Sequence, residues 1–236
     1  MIIFMWSGPR NLSTALMRSF ENRNDTNVID EPFYAYYLNK TGLDHPMKNE
    51  IINHYPISQK KILDIITSKP KNNQIFYQKH MTHHIIKNTK IDWLNKGYNC
   101  FLIRHPAKVI NSYIKKNTLK NIDDIGFKKQ FKIFHKIKKN NMECTVINAD
   151  TILKDPNKTL KKLCKNLEIK FTKKMLNWPK GKRLSDGIWS KVWYKNVEKS
   201  HTFSKYKKEK YYVPKKYNDI YVESLKYYNE MNQYSI

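Results

Sequence analysis

Residues 2–20, IIFMWSGPRNLSTALMRSF, place a short apolar run directly before a turn of small and polar residues that leads into a helix. Residues 2–6 predict a buried strand, residues 7–12 a loop, and residues from 13 onward a helix with its apolar positions on one face. The free N–H groups of a first helical turn and the positive end of the helix dipole attract anions, and Arg10 adds a full charge. The pattern predicts a site for a phosphate-like ligand.

This loop matches the nucleoside-triphosphate P-loop, GxxxxGK(S/T), only in part. Gly8 opens the loop and Ser13 and Thr14 close it, but the loop has no second glycine, and Leu12 lies directly before Ser13. No lysine precedes Ser13, and because that lysine contacts the β- and γ-phosphates, its absence argues against cleavage of ATP or GTP. The structural alternative is an ordinary strand-to-helix turn with Asn11 or Ser13 as the cap.

A second candidate anion site lies far along the chain. Residues 97–104, GYNCFLIR, predict another buried strand that ends at Arg104, and Pro106 suits the first turn of the helix that follows. Ser112 falls on the flank of that helix, within reach of the strand end. A guanidinium group and a hydroxyl group are suitable partners for a phosphate monoester. We therefore expect Arg104 and Ser112 to bind one anion; an arginine that donates to helix carbonyls is the alternative.

Taken together, the two segments resemble the nucleotide signatures of the sulfotransferases that use 3′-phosphoadenosine-5′-phosphosulfate (PAPS). In that family a loop of the type P-K/R-S/N-x-S/T-T binds the 5′-phosphosulfate, and its positions match Pro9, Arg10, Asn11, Leu12, Ser13 and Thr14. A later segment, R-x-P followed by five residues and a serine, binds the 3′-phosphate and matches Arg104, Pro106 and Ser112. The chain most resembles a bacterial small-molecule subgroup with SGPRNxSTA near the start and DEPFYA soon after.

The resemblance extends from residue 1 to about residue 203, and residues 146–169 are similar to the family's strand, Asp-Pro turn and helix. Leu12 replaces the usual loop glycine, and Asn-Ala-Asp at 148–150 replaces a tyrosine-glutamate-aspartate. The resemblance implies transfer of a sulfuryl group from PAPS to a hydroxyl, or less readily an amine, of a small metabolite. It also implies release of 3′-phosphoadenosine-5′-phosphate (PAP) and no requirement for a metal ion.

The resemblance further implies a cation and a carboxylate near the reacting group. Lys79, at the end of the apolar segment QIFYQK, resembles the lysine of the family's K-T-H segment and is expected to stabilise the leaving phosphate. Glu31 resembles the catalytic glutamate of several carbohydrate and glycolipid sulfotransferases, and burial among the aromatic residues after it would raise its pKa. The alternatives are a solvated lysine and a helix start capped by Asp30 and Glu31.

Two further regions carry candidate residues. In the segment KHMTHH, His80 and His83 are close to the position of the histidine base of cytosolic family members, so we expect one of them to assist Glu31 or to bind the acceptor. Residues 178–203 occupy the place where family members fold a basic loop over the nucleotide. Lys182 and Arg183 are therefore candidates for contact with the 3′-phosphate or the ribose. An aromatic lid and a packed C-terminal arm are the alternatives, and no chemistry is predicted after Lys205.

Length and pattern predict one α/β domain over residues 1–236, in which residues 178–236 form an arm or lid. The expected fold has three layers, with helices on both faces of a mostly parallel sheet, as in P-loop NTPases. Further strands are predicted at 27–30, 74–79 and 143–148, and further helices at 60–67, 127–139 and 157–167. Ligands bind beyond the carboxyl ends of the strands in such sheets, where both anion sites fall.

Composition leaves two other function classes open. The chain has 45 Lys and Arg against 20 Asp and Glu, a net charge of +25. Because the charge is spread over every helix, we expect no specific nucleic acid partner but a raised local concentration of an anionic cosubstrate. A P-loop kinase or NTPase, with NVIDE as its acidic strand, and a basic nucleic-acid-binding module remain the alternatives.

The cellular setting is predicted from cysteines and hydropathy. Three cysteines without CxxC spacing, Cys100, Cys144 and Cys164, indicate reduced core residues, and no apolar stretch is long enough to cross a bilayer. We therefore expect a cytoplasmic location. The acceptor and the oligomeric state stay open.

Overall fold

A computed structural model describes residues 1–70, 74–208 and 211–236 of the chain. Its centre is a single five-stranded sheet in the order β2-β3-β1-β4-β5, in which every pairing is parallel. The strands are β1 (Ile2–Ser7), β2 (Thr26–Asp30), β3 (Ile75–Met81), β4 (Tyr98–Ile103) and β5 (Cys144–Asn148). The α/β prediction is confirmed.

The sequence of β1 explains its central position. All six residues of this strand are buried, as expected for a near-continuous apolar run that is covered on both faces of a parallel sheet. The strand order changes direction at β1, because the chain first builds β2 at the edge and β3 beside β1 on one side, and then β4 and β5 on the other. Such a switch point opens a crevice at the carboxyl ends of β1 and β4.

Eleven α-helices surround the sheet in the described residues. They are α1 (Ser13–Glu21), α2 (Tyr34–Thr41), α3 (Lys48–His54), α4 (Gln59–Ile66), α5 (Pro106–Tyr113), α6 (Phe127–Lys139), α7 (Ala149–Lys154), α8 (Pro156–Asn166), α9 (Ser190–Trp193), α10 (Lys195–Glu198) and α11 (Asn218–Asn232). Short 3₁₀ turns lie at Thr82–His84, Asp92–Lys96, Ile122–Ile125, Lys173–Leu176 and Lys215–Tyr217. None of the helices in the described part of the chain is long and apolar enough to span a membrane.

Two large apolar clusters lie on opposite faces of the sheet. Trp6 and Phe101 belong to the cluster that α6 and α11 cover, whereas Met5 and Leu16 belong to the cluster beneath α1 and α8. Helix α6 is fixed to the strand ends by Gln130, whose buried amide donates to the carbonyls of β1 and β4 at 3.1 and 3.0 Å. This contact holds together the two strands whose carboxyl ends form the crevice.

The C-terminal part of the chain packs closely on the domain. Trp178 is buried on the α1 side, and its backbone N–H donates to the carbonyl of His201 at 2.8 Å. Helix α11 packs on α6, and the amide of Ile236 donates to the carbonyl of Val146 at 3.1 Å. Residues 209 and 210 of the predicted arm lie outside the described residues.

Candidate functional site

The loop between β1 and α1 follows a constrained backbone path. Gly8 approaches another backbone so closely that a Cβ on this residue would lie 2.4 Å from the carbonyl oxygen of Ile125. Arg10 and Leu12 both adopt left-handed conformations, with φ of 62° and 71°. Leu12 stands where a glycine is usual and keeps the conformation that glycine adopts freely, at a cost of about 1–2 kcal/mol. Strain of this kind clusters at ligand-binding segments.

The loop leads into a helix N-terminus with unsatisfied donors. Leu12, not Asn11 or Ser13, is the N-cap of α1, and no side chain caps the helix. In the described structure the N–H groups of Ser13, Thr14 and Ala15 have no hydrogen-bond partner, and the first helical turn contains no acidic residue. These groups and the helix dipole make the loop a favourable environment for an anion.

The second candidate segment lies at the end of β4. His105 caps α5 by accepting from the N–H of Ala107 at 3.3 Å, and Pro106 occupies the first turn, as the sequence predicts. Arg104 therefore stands at the strand end beside the loop. Ser112 is in the last turn of the same short helix, on a partly exposed flank.

The two segments meet. The Nε of Arg10 donates to the Oγ of Ser112 at 2.8 Å, and an Nη of Arg104 donates to the carbonyl of Arg10, also at 2.8 Å. Burial, together with the neighbouring Arg104, lowers the pKa of Arg10. Neither guanidinium has a carboxylate within ion-pair distance in residues 1–70, 74–208 and 211–236. The buried Nε of Arg104 has no partner there either.

Two adjacent cations without an acidic partner repel each other, and the arrangement becomes favourable when an anion lies between them. Asn11, which is 1% exposed, completes the buried floor of the loop. Pro9 precedes the left-handed turn and is partly buried. The geometry thus brings the predicted phosphosulfate loop and the predicted 3′-phosphate residues to one place.

Lys79 lies in a buried cluster of ionised groups. Its ammonium group donates to Asp30 at 2.9 Å, to Glu31 at 2.6 Å and to the hydroxyl of Tyr194 at 2.5 Å. That hydroxyl donates in turn to Asp30 at 2.6 Å. Burial opposes the charge of the lysine, but Asp30 and Glu31 raise its pKa well above the usual value. All three of its protons are engaged, so in this structure Lys79 holds carboxylates and does not face a leaving phosphate.

Glu31 occupies a strained position directly after β2. Its φ is 45°, and its N–H donates to the carbonyl of Lys79 at 2.9 Å. Burial raises the pKa of its carboxyl group, whereas Lys79 lowers it. Helix α2 begins only at Tyr34, with Phe33 as its N-cap, so the helix-capping alternative for Asp30 and Glu31 is not what the structure shows. A non-glycine residue held in this conformation is typical of functional sites.

His80 lies far from solvent, in the apolar core. Its ring stacks on Trp6 at 4.6 Å, and one ring nitrogen bonds the Gln78 side chain at 3.0 Å. Burial lowers the pKa of His80 to about 3, so the ring is neutral. This position contradicts the expectation that His80 assists catalysis. His80 and Lys79 are consecutive residues of β3, so their side chains point to opposite faces of the sheet.

Of the other two histidines of the segment, His84 lies near Glu31 and His83 packs beside the ring of His84. His83 is half-buried, and burial lowers its pKa to about 3. His84, which sequence reasoning did not single out, has its Nε2 3.9 Å from a carboxylate oxygen of Glu31. One sequence feature could have pointed to His84. It belongs to a pair of adjacent histidines, at 83 and 84, that follows the strand carrying Lys79.

The structure separates Lys182 and Arg183 from the two arginines. Arg183 lies 3.9 Å from the carboxylate of Glu21, the last residue of α1, while Lys182 is exposed. The loop lies at the other end of this nine-residue helix, about 12 Å away at 1.5 Å per residue. Arg183 is held there because the segment also carries Asp186, which pairs with Arg18 at 2.6 Å. This position argues against the expectation that Arg183 contacts the nucleotide, whereas the expectation for Lys182 stays a prediction.

Comparison with known proteins supplies the family. The sulfotransferase domain family matches residues 1–235, and the chain belongs to that family. The solved sulfotransferase domain of the Synechococcus PCC 7002 olefin synthase shares the fold, with 16% identity, a TM-score of 0.63 and coverage of 100% of this chain and 95% of that one. The sulfotransferase domain from the curacin biosynthetic pathway has 16% identity, a TM-score of 0.53 and coverage of 94% and 96%.

Curated relatives are closer in sequence. Branched-chain-amino-acid aminotransferase-like proteins 1 and 2 of Arabidopsis thaliana are 33% and 32% identical over 228 residues. The match covers 97% of this chain but 41% of each plant protein. The chain thus spans about two fifths of the length of the curated relatives it matches.

Proposed function

We propose that this protein transfers a sulfuryl group from PAPS to the hydroxyl group, or less readily the amine, of a small metabolite, without a metal ion. The observation that carries the proposal is the contact between the two basic segments, in which Arg10 bonds Ser112 and Arg104 bonds the Arg10 carbonyl. Arginines from separate segments, joined without an acidic partner in the described structure, suit a ligand with two phosphate groups.

The residues present fit such a donor. The N–H groups at the start of α1, the Arg10 side chain and the hydroxyls of Ser13 and Thr14 would hold the 5′-phosphosulfate. Arg104 and Ser112 would hold the 3′-phosphate, and the unpartnered Nε of Arg104 offers a donor for it. PAPS supplies the activated sulfuryl group when bound.

The protein's part in the reaction is placement and proton transfer. Cationic donors at the loop stabilise the negative charge that develops on the leaving phosphate. Glu31 supplies the carboxylate needed to activate the acceptor hydroxyl, and its raised pKa brings it closer to the working pH of a base. Lys79 fixes one oxygen of that carboxylate. In this assignment Lys79 acts on Glu31 and not on the leaving group.

The same geometry separates the proposal from its alternatives. A P-loop kinase or NTPase contacts the β- and γ-phosphates through a loop lysine, and this loop has Leu12 and Ser13 but no lysine. A nucleic-acid-binding module binds through many separate phosphate contacts and has a strong salt dependence.

Titration calorimetry distinguishes all three functions. The protein is titrated with PAP, with ATP and Mg²⁺, and with a short DNA duplex at 150 mM salt. We expect PAP to bind without metal at least tenfold more tightly than ATP. Equal or tighter binding of ATP with Mg²⁺, or DNA binding without a PAP signal, would refute the proposal. Transfer of ³⁵S from labelled PAPS to a small-metabolite extract then tests the reaction itself.

A further inference from the structure

An acidic turn lies beside the loop between β1 and α1. This turn consists of residues 121–126, directly before α6, and it contains Asp123 and Asp124 but no lysine or arginine. It touches the loop, since a Cβ on Gly8 would lie 2.4 Å from the carbonyl oxygen of Ile125. The acidic turn therefore borders the site that we assign to the donor.

Four rings pack together next to this turn. They form an aromatic group that consists of Tyr37, His45, His83 and His84. The ring of Tyr37 stacks on His84 with centroids 4.9 Å apart, and it contacts the other two histidines edge-on at 5.6 and 6.0 Å. The two consecutive histidines follow Thr82, whose hydroxyl donates to the carbonyl of Gly126 at 3.1 Å. This bond fixes the aromatic group against the acidic turn.

The aromatic group lies between Glu31 and the acidic turn. His84 places its Nε2 3.9 Å from a carboxylate oxygen of Glu31. Tyr37 faces the two aspartates, because burial, and then the charges of Asp124 and Asp123, raise its pKa to about 12. A molecule that contacts these rings is therefore near the carboxylate that we propose as the base and near two further carboxylates.

Tyr113 brings a fifth ring to the same region. It follows Ser112 in α5 and is partly buried. Burial raises its pKa to about 12, and the charge of Asp124 and the neighbouring Tyr37 contribute to the shift. Because Ser112 accepts from Arg10 at 2.8 Å, the acidic turn is close to both the rings and the donor site.

The aspartates of this region lack a cationic partner. Asp44 lies in the loop before α3, and residues 42–47 contain no lysine or arginine either. Burial lowers the pKa of His45, whereas Asp44 and Asp124 oppose that shift. Within the part of the chain that the structure describes, none of the three aspartates has a cation within ion-pair distance. A chain with a net charge of +25 thus carries one region of the opposite sign.

Two lysines next to these segments are engaged by other groups. Lys48 donates to a backbone carbonyl at 2.8 Å, and Lys128 lies 3.8 Å from Glu223. Burial lowers the pKa of Lys129, and Asp123 opposes that shift, but the two groups form no ion pair in the described structure. The aspartates are therefore available to attract a cation from solution.

Two buried nitrogens of the aromatic group have no hydrogen-bond partner. They are the Nδ1 atoms of His83 and His84, which are unpartnered in the described structure, and the His84 side chain is 2% exposed. Burial lowers the pKa of His83 to about 3 and that of His84 well below the usual value, so both rings are neutral. A neutral ring nitrogen can accept from a hydroxyl or an ammonium N–H. Unpartnered buried nitrogens indicate a position that a polar group of a ligand fills.

We propose that the acceptor is an alcohol with a positively charged nitrogen, that is, an amino alcohol with a protonated or quaternary ammonium group. The inference rests on the proposed function and names its substrate class. The rings of the aromatic group contact the cation, and Asp123 and Asp124 attract it. The hydroxyl group of the acceptor lies toward Glu31 and the donor loop.

The positive nitrogen takes no part in the bond changes. The acceptor O–H bond breaks and its proton moves to Glu31, while the oxygen forms a bond to sulfur. The bond between sulfur and the bridging oxygen of PAPS breaks, and its electron pair stays on the phosphate of PAP. The product is a sulfate ester that keeps its ammonium group and has no net charge, whereas a neutral alcohol gives an ester with a single negative charge.

The first test determines the charge of the acceptor. A small-metabolite extract is passed over a cation exchanger or an anion exchanger at neutral pH, and each fraction is assayed for ³⁵S transfer from labelled PAPS. We expect acceptor activity to fall at least tenfold after the cation exchanger, to return in its salt eluate, and to pass the anion exchanger. Electrophoresis at neutral pH should show a labelled product without net charge. Acceptor activity that passes the cation exchanger overturns the proposal, and so does an anionic product.

The second test locates the cation. Asp124→Asn removes the charge but keeps an oxygen that can accept from the backbone N–H groups of Lys120 and Asn121, so we expect an unchanged melting temperature. The assay uses saturating PAPS and limiting amounts of the desalted eluate from the cation exchanger. We expect transfer to fall about five- to tenfold, because one attractive charge is lost, while the Kd for PAP stays within twofold.

The matched control is Glu143→Gln. This substitution removes an exposed carboxylate directly before β5, at the opposite edge of the sheet, and transfer should stay within twofold of the wild type. Transfer by Asp124→Asn at the wild-type rate overturns the placement of the cation. An equal loss in Glu143→Gln does so as well, because the effect would then follow from net charge alone.

The outcomes separate this inference from the proposed function. If wild-type protein binds no PAP and transfers no label to the untreated extract, the proposed function fails and this inference fails with it. If PAP binds and label is transferred to an acceptor that passes the cation exchanger, the proposed function stands and the inference alone fails.

Discussion

Replacement of Arg104 by methionine tests the donor site most directly. Methionine keeps much of the apolar stem of the side chain and removes the guanidinium group, including the bond to the carbonyl of Arg10 and the unpartnered Nε. A charge-assisted hydrogen bond contributes about 1.5–3 kcal/mol. Loss of one such bond to the 3′-phosphate weakens PAP binding by about 2–3 kcal/mol, which is about 30- to 150-fold in Kd.

The same substitution has a small effect on the free protein. Loss of the bond between Arg104 and the Arg10 carbonyl costs about 1.5–3 kcal/mol, and relief of the repulsion between the two guanidinium groups offsets enough of it to leave a net loss of about 1 kcal/mol. We therefore expect the melting temperature without ligand to change by less than about 4 °C. An arginine that only holds the loop together would show the reverse pattern, with lower stability and an unchanged Kd.

The assay is titration calorimetry with PAP, accompanied by thermal unfolding with and without PAP. The matched control is Lys165→Met, which removes one positive charge from an exposed position on α8 and should leave the Kd within twofold. A Kd for Arg104→Met within threefold of the wild type refutes the assignment. So does an equal loss in the control, because it would reduce the effect to net charge.

Three further substitutions test other parts of the structure. In Gly8→Ala, the new Cβ meets the carbonyl oxygen of Ile125, so we expect the free energy of unfolding, measured with denaturant, to fall by about 1–3 kcal/mol. Unchanged stability would contradict the described path of the loop. Tyr194→Phe removes a hydrogen-bond partner from Lys79 and from Asp30, and should lower the free energy of unfolding by about 1–3 kcal/mol. An unchanged midpoint of denaturant unfolding would contradict this cluster of hydrogen bonds. Arg183→Met should leave PAP affinity within twofold, and a tenfold loss would restore Arg183 to the donor site.

Local sequence pattern predicted most of the sheet. The apolar run of β1 and the helix over 127–139 follow from periodicity alone, and α6 has those bounds in the structure. The observed strands start or end within a few residues of the predicted ones, because strand ends depend on pairing as well as on composition. The roles of Arg10, Arg104 and Ser112 stay predictions, although the structure brings these side chains into contact.

The parts that sequence reasoning missed involve residues distant along the chain. The sequence predicts Lys79 as a cation for the leaving group, but Tyr194 and Asp30 engage its protons, and Tyr194 is 115 residues away. His80 and His84 are close in sequence and differ completely in surroundings, since one lies in the core and the other faces Glu31. The residue types of this segment do not distinguish the two environments. Both histidines are buried, and they differ only in which residues from other segments contact the ring.

By itself the sequence determined the parallel sheet, the order of its elements and the two basic segments at the strand ends, because apolar periodicity and a few backbone-specific residues encode them locally. Only the tertiary structure decided which cations remain without an acidic partner. Within the described residues Arg10 and Arg104 have none, whereas Lys79 pairs with Asp30 and Glu31, and Arg183 lies next to Glu21. Electrostatic pairing depends on distances of a few ångströms between separate segments, and those distances exist only after the chain has packed.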